Sequence, residues 1–223
     1  LQLEGLPSAE YSRTHFRNNP VPYEDFVAHV QAESEKVDSF YGSLRQAAFQ
    51  VVAITTTTGF GTADFDLWPT TLRLLLLLLM FFGGCAGSTG GGMKMIRILV
   101  NMKAAAREII KMARPRIIRP VKVGDVPLEE ARVGNIVSFF ILFLSLSVFS
   151  GMLMTFFVPD LVTAYTSVVA CLANIGPGLA GVGSIENFAW IPIPGKWILI
   201  FNMLLGRLEI FTVLVLLRAS IWR

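Results

Sequence analysis

Apolar residues fall along the chain in blocks of two lengths. Ile136–Val158 runs 23 residues without a charge, and at about 1.5 Å per residue that crosses a hydrocarbon core of roughly 30 Å. A second long block, Trp197–Leu217, carries Gly206, Arg207 and Glu209 in its middle. A charge there is tolerated only where it faces protein or water, so this helix is expected to line a pathway. A third block, Trp68–Phe82, breaks at Gly83-Gly84-Cys85-Ala86-Gly87-Ser88-Thr89-Gly90-Gly91-Gly92 and resumes at Met93. Each glycine weakens a helix by about 1 kcal/mol relative to alanine, and irregular backbone at that depth needs protein or a water-filled cavity around it. The short blocks, Ser43–Ile54 and Leu161–Leu172, span too little to cross but enough to reach the midplane.

The short blocks reveal a repeat. Val51-Val52-Ala53-Ile54-Thr55-Thr56-Thr57-Thr58-Gly59-Phe60 returns in outline 117 residues later as Val168-Val169-Ala170-Cys171-Leu172-Ala173-Asn174-Ile175-Gly176-Pro177. Each copy reads as a short apolar helix, a Gly-containing extended segment, a polar stretch and a longer apolar helix. The predicted fold is an all-α integral membrane protein of helix–pore-loop–helix (M1-P-M2) repeats with re-entrant pore helices. Residues 43–114 form one repeat, 115–135 a basic link and 136–223 the next repeat. Nothing long and apolar precedes Ser43, so the first copy lacks its entry helix. Residues 1–42 are expected to be an extracytoplasmic loop following such a helix.

Composition agrees. Apolar residues make up 53% of the 223, charged residues 16%, and mean hydropathy is +0.59, where soluble domains carry about 25% charged residues. Charge then orients the chain. Between Met93 and Arg132 stand Lys94, Arg97, Lys103, Arg107, Lys111, Arg114, Arg116, Arg119, Lys122 and Arg132 against Glu108, Asp125, Glu129 and Glu130. The positive-inside rule makes residues 93–132 and the C-terminus, with Arg218 and Arg223, cytoplasmic. The acidic N-terminal segment, Asp64, Asp66, Asp160 and Glu186 then lie outside, and both Gly-centred loops open outward.

The loops carry the chemistry. A helix C-terminus bears about half a negative charge, so two short helices ending at a central cavity favour a cation there. Thr57-Thr58-Gly59 and Asn174-Ile175-Gly176 follow those ends, and glycine permits the backbone conformation that turns carbonyls toward an axis. Rings of such carbonyls replace an ion's hydration shell, and Asp64 and Asp66 add negative potential at the mouth. Other motifs fail on context. Gly176-Pro177-Gly178-Leu179-Ala180-Gly181 matches a dinucleotide fingerprint, but Pro177 removes an N–H that a phosphate needs and no soluble βαβ unit follows. Gly84–Lys94 resembles a phosphate loop in which Met93 separates Gly92 from the lysine and Met95 stands in place of Ser or Thr. Cys85 and Cys171 lack ligand spacing, and His15 and His29 have no third ligand nearby.

The segments Thr55–Phe60, Gly83–Lys94, Asn174–Gly178 and Leu205–Thr212 together resemble the Trk/Ktr/HKT potassium transporter superfamily, closest to its bacterial Trk-type membrane subunit. The likeness runs from about Phe40 to the C-terminus. Members have four helix–loop–helix repeats around one pore, of which the third, without its first helix, and the fourth correspond to this chain. The resemblance implies potassium-coordinating carbonyls at Thr57, Thr58, Gly59, Asn174, Ile175 and Gly176, flanked by Phe60 and Pro177. It implies a gate in the Gly-rich segment, with Gly87, Gly90, Gly91, Gly92 and Arg207. An ion pair of Arg207 with Glu209 or with a neighbouring helix is the competing reading.

The function so implied is potassium uptake across the bacterial inner membrane, with no catalysis, no cofactor, and no metal besides potassium as substrate. A sodium-permeable or mixed cation channel of the same architecture is one alternative. A fragment that does not transport, because two filter strands leave the ion cage half open, is the other. The partners implied are a cytoplasmic nucleotide-binding regulatory subunit, a second copy in a homodimer, and membrane lipid, with no nucleic acid. The basic stretch Met93–Arg132 is the natural docking surface, although anionic lipid accounts for the same charges.

Overall fold

A computed structural model describes residues 40–85, 87–88, 90–114 and 120–217. The N-terminal loop expectation falls almost wholly outside these residues, as do His15, His29, Arg116, Arg119, Arg218 and Arg223. The chain divides into two compact units, residues 1–49 and 50–223. Of the first unit the described part is the opening turns of helix α1 (Phe40–Thr55).

The second unit carries the architecture. After α1 come a 3-10 turn at Phe65–Leu67, helix α2 (Thr70–Phe81), a short strand β1 (Phe82–Gly83) and its partner β2 (Met93–Lys94), then helix α3 (Met95–Ala113). A small hairpin, β3 (Lys122–Val123) and β4 (Val126–Pro127), leads to helix α4 (Glu130–Met154). Helix α5 (Leu161–Leu172), a 3-10 turn at Ala180–Val182, helix α6 (Ile193–Arg207) and helix α7 (Ile210–Leu217) complete it. Helix α4 is long and apolar enough to cross a membrane. The chain is thus mostly helical, with strands among the described residues confined to two-residue pairings.

The two short blocks are helices at the predicted places, α5 with the predicted ends. Other boundaries moved. The crossing helix begins at Glu130 rather than Ile136 and ends at Met154, so the basic link gives its last residues to α4. Met95–Ala113 is an amphipathic helix, close to the expected resumption at Met93, and it carries the basic residues from Arg97 to Lys111. The block Trp197–Leu217 is two helices and not one. It breaks at Leu208–Glu209, where Glu209 takes a left-handed backbone with φ 59° and the Leu208 N–H returns to Leu204 O at 3.0 Å. That conformation ends a helix, and no hydropathy pattern signals it.

Packing is closest around α5, the second short helix. From Thr163 to Leu172 only Tyr165 is not buried. Its neighbour α4 approaches closely at Gly151, where an added Cβ would lie 2.9 Å from the Tyr165 ring. Ser150 on α4 donates to Asn202 on α6 at 3.1 Å. A buried polar pair of this kind fixes the rotation of one helix against another where apolar contact alone leaves it loose. One apolar cluster joins Ile54, Phe65, Leu76 and Met80 of the first repeat to Val169, Ala173, Ile175 and Leu179 of the second.

Candidate ion-filter and gate site

Both short helices end in the same way. Thr56, Thr57 and Thr58 donate their backbone N–H groups to Val52, Ile54 and Ala53 at 2.9, 3.1 and 2.9 Å. The equivalent Ala173, Asn174 and Ile175 donate to Val169, Cys171 and Ala170 at 2.8, 3.0 and 2.9 Å. Such bonds closing a helix end around a left-handed residue are those of a Schellman-type cap. Thr57 (φ 55°) and Asn174 (φ 54°) are the left-handed residues, and Gly59 (φ 75°) and Gly176 (φ 112°) return to positive φ two residues on. The repeat seen in the letters is therefore a repeat of backbone conformation at the same 117-residue offset.

The threonine run has a local role here. Thr55 and Thr56 donate their hydroxyls to Val51 O and Val52 O at 2.8 and 2.6 Å, adding side-chain donors to carbonyls near a helix end. Thr57 is another matter. A β-branched residue with positive φ is a strained outlier, costing about 1–3 kcal/mol, whereas asparagine tolerates the conformation.

The two predicted filter segments lie side by side. A Cβ on Gly59 would clash with the Ile175 carbonyl oxygen, and Pro177 Cδ lies 3.2 Å from the same point. Among the described residues, no hydrogen bond is accepted by the carbonyls of Thr57, Thr58, Gly59, Asn174, Ile175 or Gly176. Six open carbonyls in two adjoining strands form a surface able to take a desolvated cation. Phe60 is largely exposed and Pro177 half-buried.

Each strand is propped from behind by its own helix. In the first repeat, Gln50 donates to Ala63 O at 3.2 Å. In the second, the Thr166 hydroxyl accepts from Leu179 N at 3.0 Å and lies 3.1 Å from Leu179 O, while Thr163 Oγ1 accepts from Gly181 N at 3.1 Å. Trp190 Nε1 donates to Gly181 O at 2.9 Å. The Asp160 carboxylate caps α5 by accepting from the Thr163 N–H and hydroxyl at 2.9 and 2.6 Å. Burial works to raise its pKa, but the Thr163 bonds outweigh it and hold the carboxyl below its ordinary value.

The Gly-rich segment sits against both strands. It leaves and returns through the parallel pairing of Phe82–Gly83 with Met93–Lys94, closed further by Met95 N donating to Gly84 O at 3.2 Å. Gly90 lies under Thr57, whose Oγ1 is 3.1 Å from where a Cβ would stand, and Gly91 lies under Ala173 and Asn174. Gly92 has φ 71° and Gly87 φ 87°. Side chains at Gly83 or Gly91 would meet backbone, which explains glycine at those positions.

Below this segment is a cavity of about 250 Å³ lined by Ser88, Gly92, Lys94, Arg97, Arg207 and Glu209 among others. Arg207 ends α6 and is exposed toward it. Sequence reasoning missed the ties of Glu209, which pairs with Arg97 at 2.9 Å and Lys94 at 3.4 Å. Arg97 also stacks over Phe139 at 4.1 Å. The carboxylate that the competing reading gives to Arg207 is thus engaged by two other cations. Lys94 and Glu209 are 115 residues apart, so no local spacing pointed to them. Asp66, expected to add negative potential at the mouth, is likewise engaged: Oδ1 accepts from Ala180 N at 2.9 Å and pairs with Arg73 at 3.2 Å.

Two short helices that end in the same turn beside a glycine-rich loop, packed with a helix long and apolar enough to cross a membrane, are the architecture of an all-α membrane protein. Comparison with known proteins agrees. The family profile described as TrkH, cation transport protein, matches residues 23–223, and the chain belongs to that family. It is 44% identical over 186 residues to the Trk system potassium uptake protein TrkH of Salmonella typhimurium, covering 83% of this chain and 38% of that one. It is 43% identical over 181 residues to the protein of the same name from Escherichia coli K12, covering 81% and 37%. The crystal structure of the potassium transporter TrkH from Vibrio parahaemolyticus superposes with a TM-score of 0.76 at 41% identity, over 85% of this chain and 40% of that one. The chain spans less than two-fifths of the length of these curated relatives. By name they are transporters, not enzymes.

Proposed function

We propose that this chain contributes two adjacent quarters of a potassium-selective pore and takes part in potassium uptake across the bacterial inner membrane. One observation carries the reading: the same left-handed turn and the same three hydrogen bonds recur at Thr57 and Asn174, followed by carbonyls that accept no hydrogen bond among the described residues. Thr57, Thr58, Gly59, Asn174, Ile175 and Gly176 supply the coordinating carbonyls, with Phe60 and Pro177 at the flanks. Residues 93–132 and the C-terminus face the cytoplasm in this assignment. A nucleotide-binding regulatory subunit docks on the basic face of α3, and a second copy completes a homodimer.

The gate is the loop of Gly87, Gly90, Gly91 and Gly92 with Arg207 beneath it. Its place under both strands supports this role, because displacement of the loop opens the path below the filter. Arg207 adds a positive barrier beside the path.

The test is potassium-dependent growth of an uptake-deficient bacterium expressing the gene, paired with rubidium and sodium flux in proteoliposomes. Growth at low potassium with rubidium favoured over sodium is the expected result. Equal rubidium and sodium flux would point to the mixed-cation alternative, and no flux to the non-transporting fragment. Arg207→Ala is expected to raise flux several-fold, consistent with removal of a barrier charge.

A further inference from the structure

We propose that Asp66 is a positioning residue of the outer mouth, whose ionised carboxylate ties the segment behind one filter strand to the segment behind the other and thereby sets ion selectivity. The inference rests on the pore reading above.

The geometry is a bridge between repeats. Asp66 stands on the 3-10 turn that follows the first strand, and its Oδ1 accepts from the backbone N–H of Ala180, which opens the 3-10 turn following the second. Residues 66 and 180 are 114 apart in the chain. Gly183, at the end of that second turn, lies so close to Oδ2 that any Cβ would collide with it. A second tie runs parallel: Ser184 Oγ donates to Ala63 O at 2.9 Å, the carbonyl that also accepts from Gln50. Thus Gln50, Ala63, Asp66, Ala180 and Ser184 lace the backs of the two strands together. Behind the second strand, Thr166 and Thr163 hold Leu179 and Gly181 on either side of Ala180. A shift at Asp66 therefore reaches the second strand through a short, hydrogen-bonded path.

The charged groups around the carboxylate are Arg73 on α2, Asp64 on the same turn, and Glu186 beyond the second 3-10 turn. Arg73 also feels Asp160 at the cap of α5. Its Nε is buried without a hydrogen-bond partner, so the guanidinium depends on nearby negative charge. Burial raises the Asp66 pKa to about 6, with Asp64 and Glu186 adding to the rise and the Ala180 N–H and Arg73 opposing it. Because the folded value lies above the ordinary 3.8, the folded state binds more protons than the unfolded one between these values. The fold gains stability on this account as pH falls through about 6 and loses it as pH rises. The ionised form is thus held at a cost to stability, as a group kept for positioning would be. Acid is expected to loosen the bridge without melting the protein.

The experiment uses the protein as its gene encodes it, reconstituted in proteoliposomes, with rubidium and sodium flux measured at external pH from about 5 to 8, a window that brackets the Asp66 titration. In the wild type, rubidium-over-sodium selectivity should fall about tenfold on acidification, the order expected for losing one charge-assisted hydrogen bond. Asp66→Asn should show the low, acid-type selectivity at every pH with a thermal midpoint no lower than that of the wild type at neutral pH. Gly183→Ala disturbs the same contact while leaving the carboxylate in place, and should lower selectivity in the same direction. A flat wild-type profile overturns the proposal even if Asp66→Asn does not fold. So does an Asp66→Asn protein whose total flux falls while its selectivity and pH profile stay those of the wild type. Wild-type vesicles with no rubidium selectivity at any pH would instead sink the pore reading itself.

Discussion

The two proposed filter quarters share a backbone conformation but not a support. The second is set deep: α5 is buried along most of its length, capped by Asp160, and its strand is held by Thr163, Thr166 and Trp190. Behind the first, the buried Gln50 reaches Ala63 from its own helix, while Val52 on that helix and Thr56 just past its end are exposed. It also carries Thr57 where the second has Asn174, a β-branched residue in a conformation that asparagine accepts more readily. Three matching hydrogen bonds at the two turns therefore do not mean equal stability. The first strand borrows rigidity from the second through Ser184 and Asp66, and the cost of Thr57 is offset by contacts outside its own turn.

Substitutions that strike one quarter harder than the other can break this comparison. The largest effect is expected at Gly59. Both Gly59 and Gly176 have positive φ, but a Cβ at Gly59 also clashes with the Ile175 carbonyl, while at Gly176 none of the described residues lies within 4 Å. Gly59→Ala should abolish selective rubidium flux, and Gly176→Ala should reduce it less; equal losses would show that backbone strain alone decides. Next comes Glu209→Gln, which removes the counter-charge of Lys94 and Arg97 at the foot of the Gly-rich loop. Rubidium flux in vesicles should change several-fold with selectivity kept, since the filter strands are untouched; a change in selectivity would refute a gate-side role.

Smaller effects separate the turns themselves. Exchanging the left-handed residues should be asymmetric: Thr57→Asn stabilises and Asn174→Thr destabilises, each by about 1 kcal/mol, read as opposite shifts of the thermal midpoint. An effect of the same size is expected at the cap. Asp160→Ala should cost about 1 kcal/mol, acting directly on the second quarter and, through Arg73, on the Asp66 bridge. The Asp160 carboxyl is held below its ordinary value by Thr163. Its stabilisation is then complete above the unfolded value near 3.8 and is lost as pH falls through the lowered one, a trend of opposite sign to that of Asp66.

Much of the fold was legible because membrane proteins write it in hydropathy. The short helix α5, the crossing helix and the interruption at Gly83–Gly92 follow from block length, and the echo of Val51–Phe60 in Val168–Pro177 located both filter candidates. Legibility failed where the partner lies far along the chain. The break at Glu209 interrupts an apolar run whose composition alone suits one helix, and its ion pairs reach back to Lys94 and Arg97. The parallel pairing of Phe82–Gly83 with Met93–Lys94 spans a glycine-rich stretch too irregular for a periodicity to show.

By itself the sequence determined how long the apolar segments are, that two of them repeat, and where glycine frees the backbone, since apolar length and the sterics of φ are local properties. Tertiary structure alone decided that Gly59 stands against Ile175, that Gly90 and Gly91 lie under the two strands, and that Asp66 bridges to Ala180. Those approaches depend on the register in which distant elements pack, which is fixed by hydrogen bonds and close packing between residues far apart in the chain, for which the sequence carries no local signal.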